Sequence, residues 1–268
     1  IIDLESSDDL ETIAKAYKAK YIKRPKVEIV ELVRQSSLQY ATQPYILFLD
    51  ADESVSPGLA KEIYNLTKSQ DYDYFEVPRQ NYVFGEWVKA SRWWPDYQIR
   101  LFKKGSATWP TTIHKPPVTT GKGYHFAPDP AVALVHQNYQ NLDEWFEKNR
   151  RYAKADAAAR LPSYSPFTLI EAMHLSVSEF VSRYFAGHGY KDGLRGLTLS
   201  IFQAFYYFLV YAYYWEAKGY SALESDSTLL TFPRRWFSHG LSEIMHWDRS
   251  TQSFVSRLKT KLVRKMIA

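Results

Sequence analysis

The stretch ILFLDADE at residues 46–53 decides the fold class, because an apolar run ends abruptly in acidic residues. Alternate residues of a strand point to the same side, so Asp50 and Asp52 are expected to face one ligand just beyond the strand. Two carboxylates at the carboxyl edge of an α/β sheet form a hard-oxygen site that suits Mg²⁺ or Mn²⁺ carrying a diphosphate. An exposed acidic turn after a buried strand explains the same residues equally well.

Strands and helices alternate around this stretch. The hydrophobic spacing predicts strands at 1–3, 21–22, 45–49, 72–78, 98–102 and 131–136, and helices at 10–17, 27–40, 59–67 and 142–161. Such alternation is typical of an α/β fold. We therefore predict a mixed sheet flanked by helices over residues 1–160, followed by a helical extension over residues 161–268.

The extension contains an uncharged stretch, GLTLSIFQAFYYFLVYAYYW, at residues 196–215. Its length is close to the roughly 20 residues that a helix needs to span a bilayer. It is also rich in tyrosine, which prefers the water–lipid interface to the hydrocarbon centre. Three alternatives stay open: a helix docked on a membrane surface, a helix buried in protein, and a true span.

The composition excludes several classes of site. The chain has no cysteine, so it forms no disulfide and no cysteine-based zinc site, and a reducing compartment is permitted. Aromatic residues make up 16% of the chain, which fits carbohydrate stacking, interfaces or a membrane surface as well as a core. Four of the first nine residues, Asp3, Glu5, Asp8 and Asp9, are acidic where a signal peptide would be basic and apolar, so no leader is expected.

Positive charge is concentrated at the C-terminal end. The net charge is +5, and from Thr231 onward eight Lys and Arg residues face two acids. A basic end could contact nucleic acid, anionic lipid or phosphate-bearing acceptors. No nucleic-acid motif accompanies it, so lipid or phosphate is favoured and no nucleic-acid partner is predicted.

The opening turn DLESSD at residues 3–8 is a candidate nucleotide site. A loop between a strand and a helix N-terminus can bind a nucleotide through backbone N–H groups, while an aspartate accepts from base or ribose. Asp3, Ser6 and Asp8 are the candidate residues. Capping of the following helix explains Ser6 and Asp8 equally well.

A third candidate lies in WWPDYQIRLF at residues 93–102. Asp96 follows an aromatic pair, and apolar surroundings that raise a carboxylate's basicity suit a general base. The following short strand is expected to place Gln98 and Arg100 on one face, where Arg100 suits a diphosphate. Trp93 and Trp94 could stack on a sugar, although packing explains them equally well.

The segments IIDLESSDDLET, FLDADE and WWPDYQIRLF, in this order, resemble the family 2 glycosyltransferases of the GT-A fold. The branch that builds lipopolysaccharide cores and related surface glycans is the most similar. The resemblance covers about residues 1–160 and continues into YKDG at residues 190–193. It implies a GT-A-like, Rossmann-related fold and an inverting transfer from a nucleotide-diphospho-sugar, with a UDP-sugar favoured. The acceptor would be a glycan or a lipid-linked glycan.

The resemblance also implies a role for each candidate residue. Asp96 would be the general base, and Mg²⁺ or Mn²⁺ would stabilise the departing diphosphate. Nucleotide-sugar contacts would come from Asp3, Ser6, Asp8, Asp50, Gln98 and Arg100, acceptor contacts from Trp93 and Trp94, and metal contacts from Asp52 and His114. His114 matches a family V-H-E position, but Lys115 replaces the acid that follows it.

One departure from the family bears on activity. Members open with a strand upstream of the first motif, whereas this chain starts at Ile1, so the usual first strand is expected to be missing. The expected enzyme is a glycosyltransferase in the cytoplasm, peripheral on the inner face of the cell membrane. The alternatives are a non-catalytic nucleotide- or glycan-binding remnant, a nucleotidyltransferase and a small integral membrane protein.

Overall fold

The structure, a computed structural model, describes residues 1–27, 30–110, 116–163 and 166–248. The strands of this part are β1 (Ile2–Asp3), β2 (Ile22–Lys23), β3 (Tyr45–Leu47), β4 (Glu53–Val55), β5 (Tyr74–Val77), β6 (Arg79–Val83), β7 (Glu86–Trp87), β8 (Gln98–Lys103), β9 (Ala107–Thr108), β10 (Val118–Thr119), β11 (Gly123–His125) and β12 (Leu134–Tyr139). The helices are α1 (Leu10–Ala16), α2 (Glu31–Ser37), α3 (Pro57–Ser69), α4 (Leu142–Arg160), α5 (Leu169–Val181), α6 (Gly193–Ala217) and α7 (Asp226–Asp248). The predicted α/β fold with a mixed sheet, flanking helices and a C-terminal helical region is confirmed.

The chain divides into two compact units. The first unit comprises residues 1–78 and 97–134, and the second comprises residues 79–96 and 135–268. The polypeptide therefore leaves the first unit after β5, contributes residues 79–96 to the second, and returns at Tyr97. The predicted division at residue 160, between a glycosyltransferase domain and an extension, stays a prediction.

The first unit is built on a mixed four-stranded sheet. Its strands lie in the order β11-β5-β8-β3, with β11 parallel to β5 and the other neighbours antiparallel. A separate parallel pair joins β1 to β2, with Ile2 opposite Ile22. One apolar core cluster of this unit consists of Leu59, Phe75, Val77, Leu101, Phe126 and Leu134, all at most 3% exposed.

Local chemistry explains where several elements begin. The Ser56 side chain accepts a hydrogen bond from the Leu59 N–H, and α3 starts at Pro57, as a proline suited to the first turn before 59–67 predicts. The strand predicted at 131–136 begins only at Leu134. Residues 130–132 instead form a 3₁₀ turn, because the Asp129 carboxylate accepts from the Ala131 N–H.

The helix predicted at 27–40 is shorter than expected. It runs over Glu31–Ser37 and continues as a 3₁₀ turn over Leu38–Tyr40. Val30 caps it without a side-chain hydrogen bond, since valine offers no oxygen to the first N–H groups. Ile29, which the spacing predicts as an inward residue, lies outside the described residues.

The helices of the second unit pack around α6, which contains the uncharged stretch. One face of α6 is buried against α4 and α5, and the shared core consists of Ala153, Ala157, Phe167, Ala172, Tyr206, Val210 and Tyr214. The Tyr206 hydroxyl donates to Asp156 Oδ2 at 2.9 Å, and burial raises the pKa of Tyr206. The Tyr211 hydroxyl likewise donates to a carboxylate, Glu224 Oε1, at 3.2 Å, so two tyrosines of this helix have acidic partners.

Residues 196–215 have three predicted alternatives, and one of them, a helix buried in protein, applies to one face of α6. The apolar residues Leu194, Ile201 and Phe205 stay exposed on the same helix. In the described part of the chain, none of the helices combines the length and hydropathy of a bilayer span.

Candidate active site

The acidic turn after β3 is neutralised by two arginines. Arg34 Nη2 contacts both carboxylate oxygens of Asp50, at 2.9 and 2.8 Å, and Arg100 Nη2 lies 2.5 Å from Asp50 Oδ2. Arg100 also donates to both oxygens of Glu53, at 2.9 and 2.8 Å. The side chains of Arg100 and Glu53 are 4% and 0% exposed. Two carboxylates and two guanidiniums therefore form one charge-balanced cluster inside the first unit.

A β-bulge accounts for the position of Arg100. Phe75 pairs with Leu101 and the next residue, Glu76, pairs with Ile99, so Arg100 has no partner on β5. Bulges re-aim side chains and interrupt the strict alternation of a strand. The bulge interrupts the alternation on which the shared face of Gln98 and Arg100 depends, so that placement stays a prediction. The role of Arg100 at a diphosphate stays a prediction, and its contacts here are with Asp50 and Glu53.

Asp50 and Asp52, the acidic pair of the sequence motif, therefore have different surroundings in the structure. Both oxygens of Asp50 accept hydrogen bonds from arginine, whereas Asp52 lies half-buried in the turn between β3 and β4. Residues 1–27, 30–110, 116–163 and 166–248 contain no group of three His, Asp or Glu side chains that could hold a metal ion. His114, the other predicted metal ligand, lies outside the described residues.

The carboxylates present in the acidic turn limit the kind of metal site that it can form. Mg²⁺ commonly binds through one or two carboxylates together with substrate phosphates, rather than in a cage made only of protein. Asp52 fits such a site, because a single carboxylate suffices when the diphosphate supplies other oxygens. The described residues do not fit a metal that the protein binds by itself.

The opening turn is closed by its own hydrogen bonds. Asp3 is 4% exposed; its Oδ1 accepts from the Ser6 N–H at 2.8 Å and its Oδ2 from the Tyr21 hydroxyl at 2.6 Å. The Tyr21 hydroxyl, and next the Ser6 N–H, hold the pKa of the Asp3 carboxyl below its ordinary value. The same contact raises the pKa of Tyr21 to about 12. Ser6 Oγ accepts from the Asp8 N–H, so the structure brings Asp3, Ser6 and Asp8 together.

Asp96, the predicted base, belongs to the second unit. Its Oδ2 accepts from Arg79 Nη2 at 2.6 Å, Arg79 Nε at 2.9 Å and Asn81 Nδ2 at 2.9 Å. The sequence predicts aromatic surroundings for this carboxylate; the structure instead places a guanidinium and an amide against it. Both partners come from β6, so one short strand fixes the position of Asp96.

A buried polar chain extends from Asp96 through Asn81. The Asn81 amide nitrogen donates to both Asp96 and the Trp93 carbonyl, the latter at 3.0 Å, and Asn81 is fully buried. Its Oδ1 lies 2.6 Å from His136 Nδ1 on β12. Because the amide nitrogen already has two acceptors, the Oδ1 atom must accept, and His136 must carry its proton on Nδ1.

Residues of the helical region hold the loop before Asp96. The Asp192 carboxylate accepts from the Lys89 N–H at 3.2 Å and from the Ala90 N–H at 2.8 Å. The Ser91 N–H donates to the Gly187 carbonyl at 2.7 Å. Asp192 lies in the family-like segment YKDG, to which the sequence assigns no role. Its position makes it a support for the loop that carries the candidate base.

The predicted acceptor-binding tryptophans both make packing contacts. Trp93 packs against the apolar cluster that contains Val83 and Trp145, and the Arg183 guanidinium lies 5.7 Å from its ring centre. Trp94 meets Trp87 edge to face, with ring centroids 5.1 Å apart. Stacking of either ring on an acceptor sugar stays a prediction.

Several residues of these networks carry no sequence prediction. They are Arg34, Arg79, Asn81, His136 and Asp192. Among these residues, the sequence could have pointed only to those of β6, RQNYV, because polar Gln80 and Asn81 occupy buried positions of a strand there. The strand predicted at 72–78 stops before it. The sequence shows Glu53 as the third acid of the turn, but it does not show that Glu53 pairs with Arg100, 47 residues away.

Glu53→Gln is expected to lower the free energy of unfolding by about 3 kcal/mol, because it leaves the buried Arg100 charge with incomplete compensation. Urea unfolding measures this. The matched control is Glu11→Gln, which breaks an exposed pair with Lys15 and should leave the unfolding midpoint essentially unchanged. Equal small effects of both substitutions would show that the charge cluster does not stabilise the first unit.

The tautomer of His136 gives a second, independent prediction. Long-range ¹H–¹⁵N NMR at neutral pH should show the proton on Nδ1, and the Asn81→Ala variant should lose this preference. A proton on Nε2 in the wild-type protein would mean that the Asn81 amide is turned round and does not donate to Asp96.

The sequence of this region matches a known family. Residues 1–129 match the model described as Glycosyl transferase family 2. The matched part contains the opening turn, the acidic turn and the segment at 93–102, and it ends before the helical region. The match supports the resemblance to family 2 glycosyltransferases without distinguishing the lipopolysaccharide branch. Residues 1–129 therefore carry the sequence signature of glycosyl transferase family 2.

Proposed function

We propose that this protein transfers a sugar from a nucleotide-diphospho-sugar to an acceptor hydroxyl with inversion at the anomeric carbon, and that Asp96 is the general base. The family match supports a glycosyltransferase of the nucleotide-sugar type. The role of Asp96 as general base is supported chiefly by the fixed position of its carboxylate. Three hydrogen bonds from Arg79 and Asn81 orient it through one oxygen.

The chemistry proposed for Asp96 follows from this arrangement. A positioned carboxylate removes the proton from the acceptor hydroxyl as its oxygen attacks the anomeric carbon, and such general-base catalysis contributes about 10²- to 10⁴-fold to a rate. Asn81 and His136 act as positioning residues, because they reach the substrate only through Asp96.

The donor is assigned to residues of the first unit. We propose that Asp3, Ser6 and Asp8 contact the nucleoside, that Gln98 supports the diphosphate, and that Asp52 binds it through Mg²⁺ or Mn²⁺. When bound, the metal stabilises the negative charge that develops on the leaving diphosphate. Asp50 contributes by holding the turn in place together with Arg100. A UDP-sugar is the proposed donor.

The acceptor is assigned to the second unit. Trp93 and Trp94 lie three and two residues before the candidate base in the sequence, which favours them as contacts for an acceptor glycan. We propose a glycan or lipid-linked acceptor of the kind found in lipopolysaccharide cores and related surface glycans, met at a membrane surface on its cytoplasmic side. The expected domain over residues 1–160 is part of the same proposal.

Asp96→Asn is expected to lower transfer at least about 100-fold while leaving donor affinity within about twofold, because the amide keeps its size but cannot take a proton. The measurement is UDP release from UDP-glucose, UDP-galactose and UDP-N-acetylglucosamine, with and without glycan acceptors. UDP binding is followed in parallel by calorimetry. Asp71→Asn, an exposed acid of the first unit, is the matched control and should behave as the wild type.

Two outcomes would contradict the proposal. Unchanged UDP release by Asp96→Asn would remove Asp96 from the role of base. UDP binding by the wild-type protein without release from any donor would favour the non-catalytic nucleotide-binding alternative.

A further inference from the structure

The helices α5, α6 and α7 enclose an apolar groove within the second unit. Its volume is about 470 Å³, and its walls are formed by Val177 and Phe180 of α5, Ile201 and Ala204 of α6, and Phe237 and Leu241 of α7. The walls of the groove are almost entirely apolar, so they offer few hydrogen-bonding groups to a polar ligand. Its dimensions and chemistry suit a hydrocarbon chain.

Exposed apolar residues form a stripe on each of two helices that line the groove, α6 and α7. On α6 the stripe is Leu194, Ile201 and Phe205, with 78%, 49% and 49% of the residue exposed. On α7 it is Leu230, Phe237 and Leu241, with 84%, 70% and 46% exposed. Both sets recur at i, i+7 and i+11, which places each set on one side of its helix. Contiguous apolar surface of this kind marks an interaction site.

The charge beside the α7 stripe is positive. Arg234 and Arg235 are exposed and lie between Leu230 and Phe237 in the helix. Arg234 follows Leu230 by four residues and precedes Phe237 by three, so it shares the stripe. The sequence from residue 249 to the C-terminus adds six Lys and Arg residues and no acid. Apolar residues interleaved with arginine are the composition of helices that lie in the interface of anionic membranes.

We propose that this groove and its two stripes, the α6–α7 face, bind an anionic phospholipid bilayer, with an acyl chain in the groove and Arg234 and Arg235 at the headgroups. The inference rests on the membrane partner of the proposed function and names the surface that meets it. A second copy of the chain fits this face less well, because neither stripe contains a carboxylate that would meet the arginines.

Vesicle flotation of the full chain tests this inference. Wild-type protein should bind vesicles of phosphatidylcholine with phosphatidylglycerol at least tenfold more tightly than vesicles of phosphatidylcholine alone. The double substitution Phe237→Ser with Leu241→Ser should lower that binding at least tenfold. Replacement of Arg234 and Arg235 by alanine should lower it roughly fivefold for each arginine, by removing attraction to the anionic surface.

The control is Val118→Ser, which removes an apolar side chain that is 67% exposed in the first unit and should leave vesicle binding unchanged. Circular dichroism verifies that each variant is folded, and UDP binding by each variant separates failure of this inference from failure of the proposed function. Unchanged vesicle binding by the Phe237 and Leu241 variant would overturn the inference. So would a wild-type dimer in light scattering that this variant abolishes, because the face would then bind a second copy.

Discussion

The guanidinium of Arg100 has almost no contact with solvent, so its charge must be balanced inside the first unit. Glu53 and Asp50 supply that balance, and Arg34 joins them from α2. Breaking a buried pair on one side costs far more than an exposed pair contributes. The turn after β3 therefore cannot move freely, and the half-buried Asp52 is held between two residues, Asp50 and Glu53, whose positions the cluster determines. The two acids that look equivalent in the sequence have different surroundings: Asp50 accepts hydrogen bonds from Arg34 and Arg100, and Asp52 lies half-buried in the turn.

A second constraint operates in the other unit and concerns orientation rather than charge. Asp96 is held by Arg79 and Asn81 of β6, and Asn81 is held in turn by His136 of β12. Pre-organisation of this kind lets a carboxylate act without paying for reorientation during the reaction. The loop before Asp96 is anchored by Asp192, so the helical region is a support for the candidate base. Its α6–α7 face combines exposed apolar residues with Arg234 and Arg235.

Much of the fold is predictable from the sequence because its elements depend on local patterns. The strand before the acidic turn, the helix after Pro57 and the polar helix α4 all follow from hydrophobic spacing and caps. The partners of the site residues are not predictable in this way. Arg79 and Asp96 are 17 positions apart, and Asp192 and Ala90 are 102 apart, so only the folded chain brings them together. The bulge at Arg100 depends on the register between two strands, and a single sequence does not specify that register. The guanidinium and the amide beside Asp96 are unpredictable for the same reason, since both come from β6.

We expect the acidic turn to bind a nucleoside diphosphate through a metal at Asp52, with Asp50 holding the turn in place. Calorimetry of UDP binding with and without Mn²⁺ measures this on the wild-type protein, on Asp52→Asn and on the control Asp71→Asn. Mn²⁺ should strengthen UDP binding at least about tenfold in the wild type and the control, and Asp52→Asn should lose this effect while remaining folded. Equal strengthening by Mn²⁺ in Asp52→Asn, or no UDP binding by the wild-type protein under either condition, would contradict it.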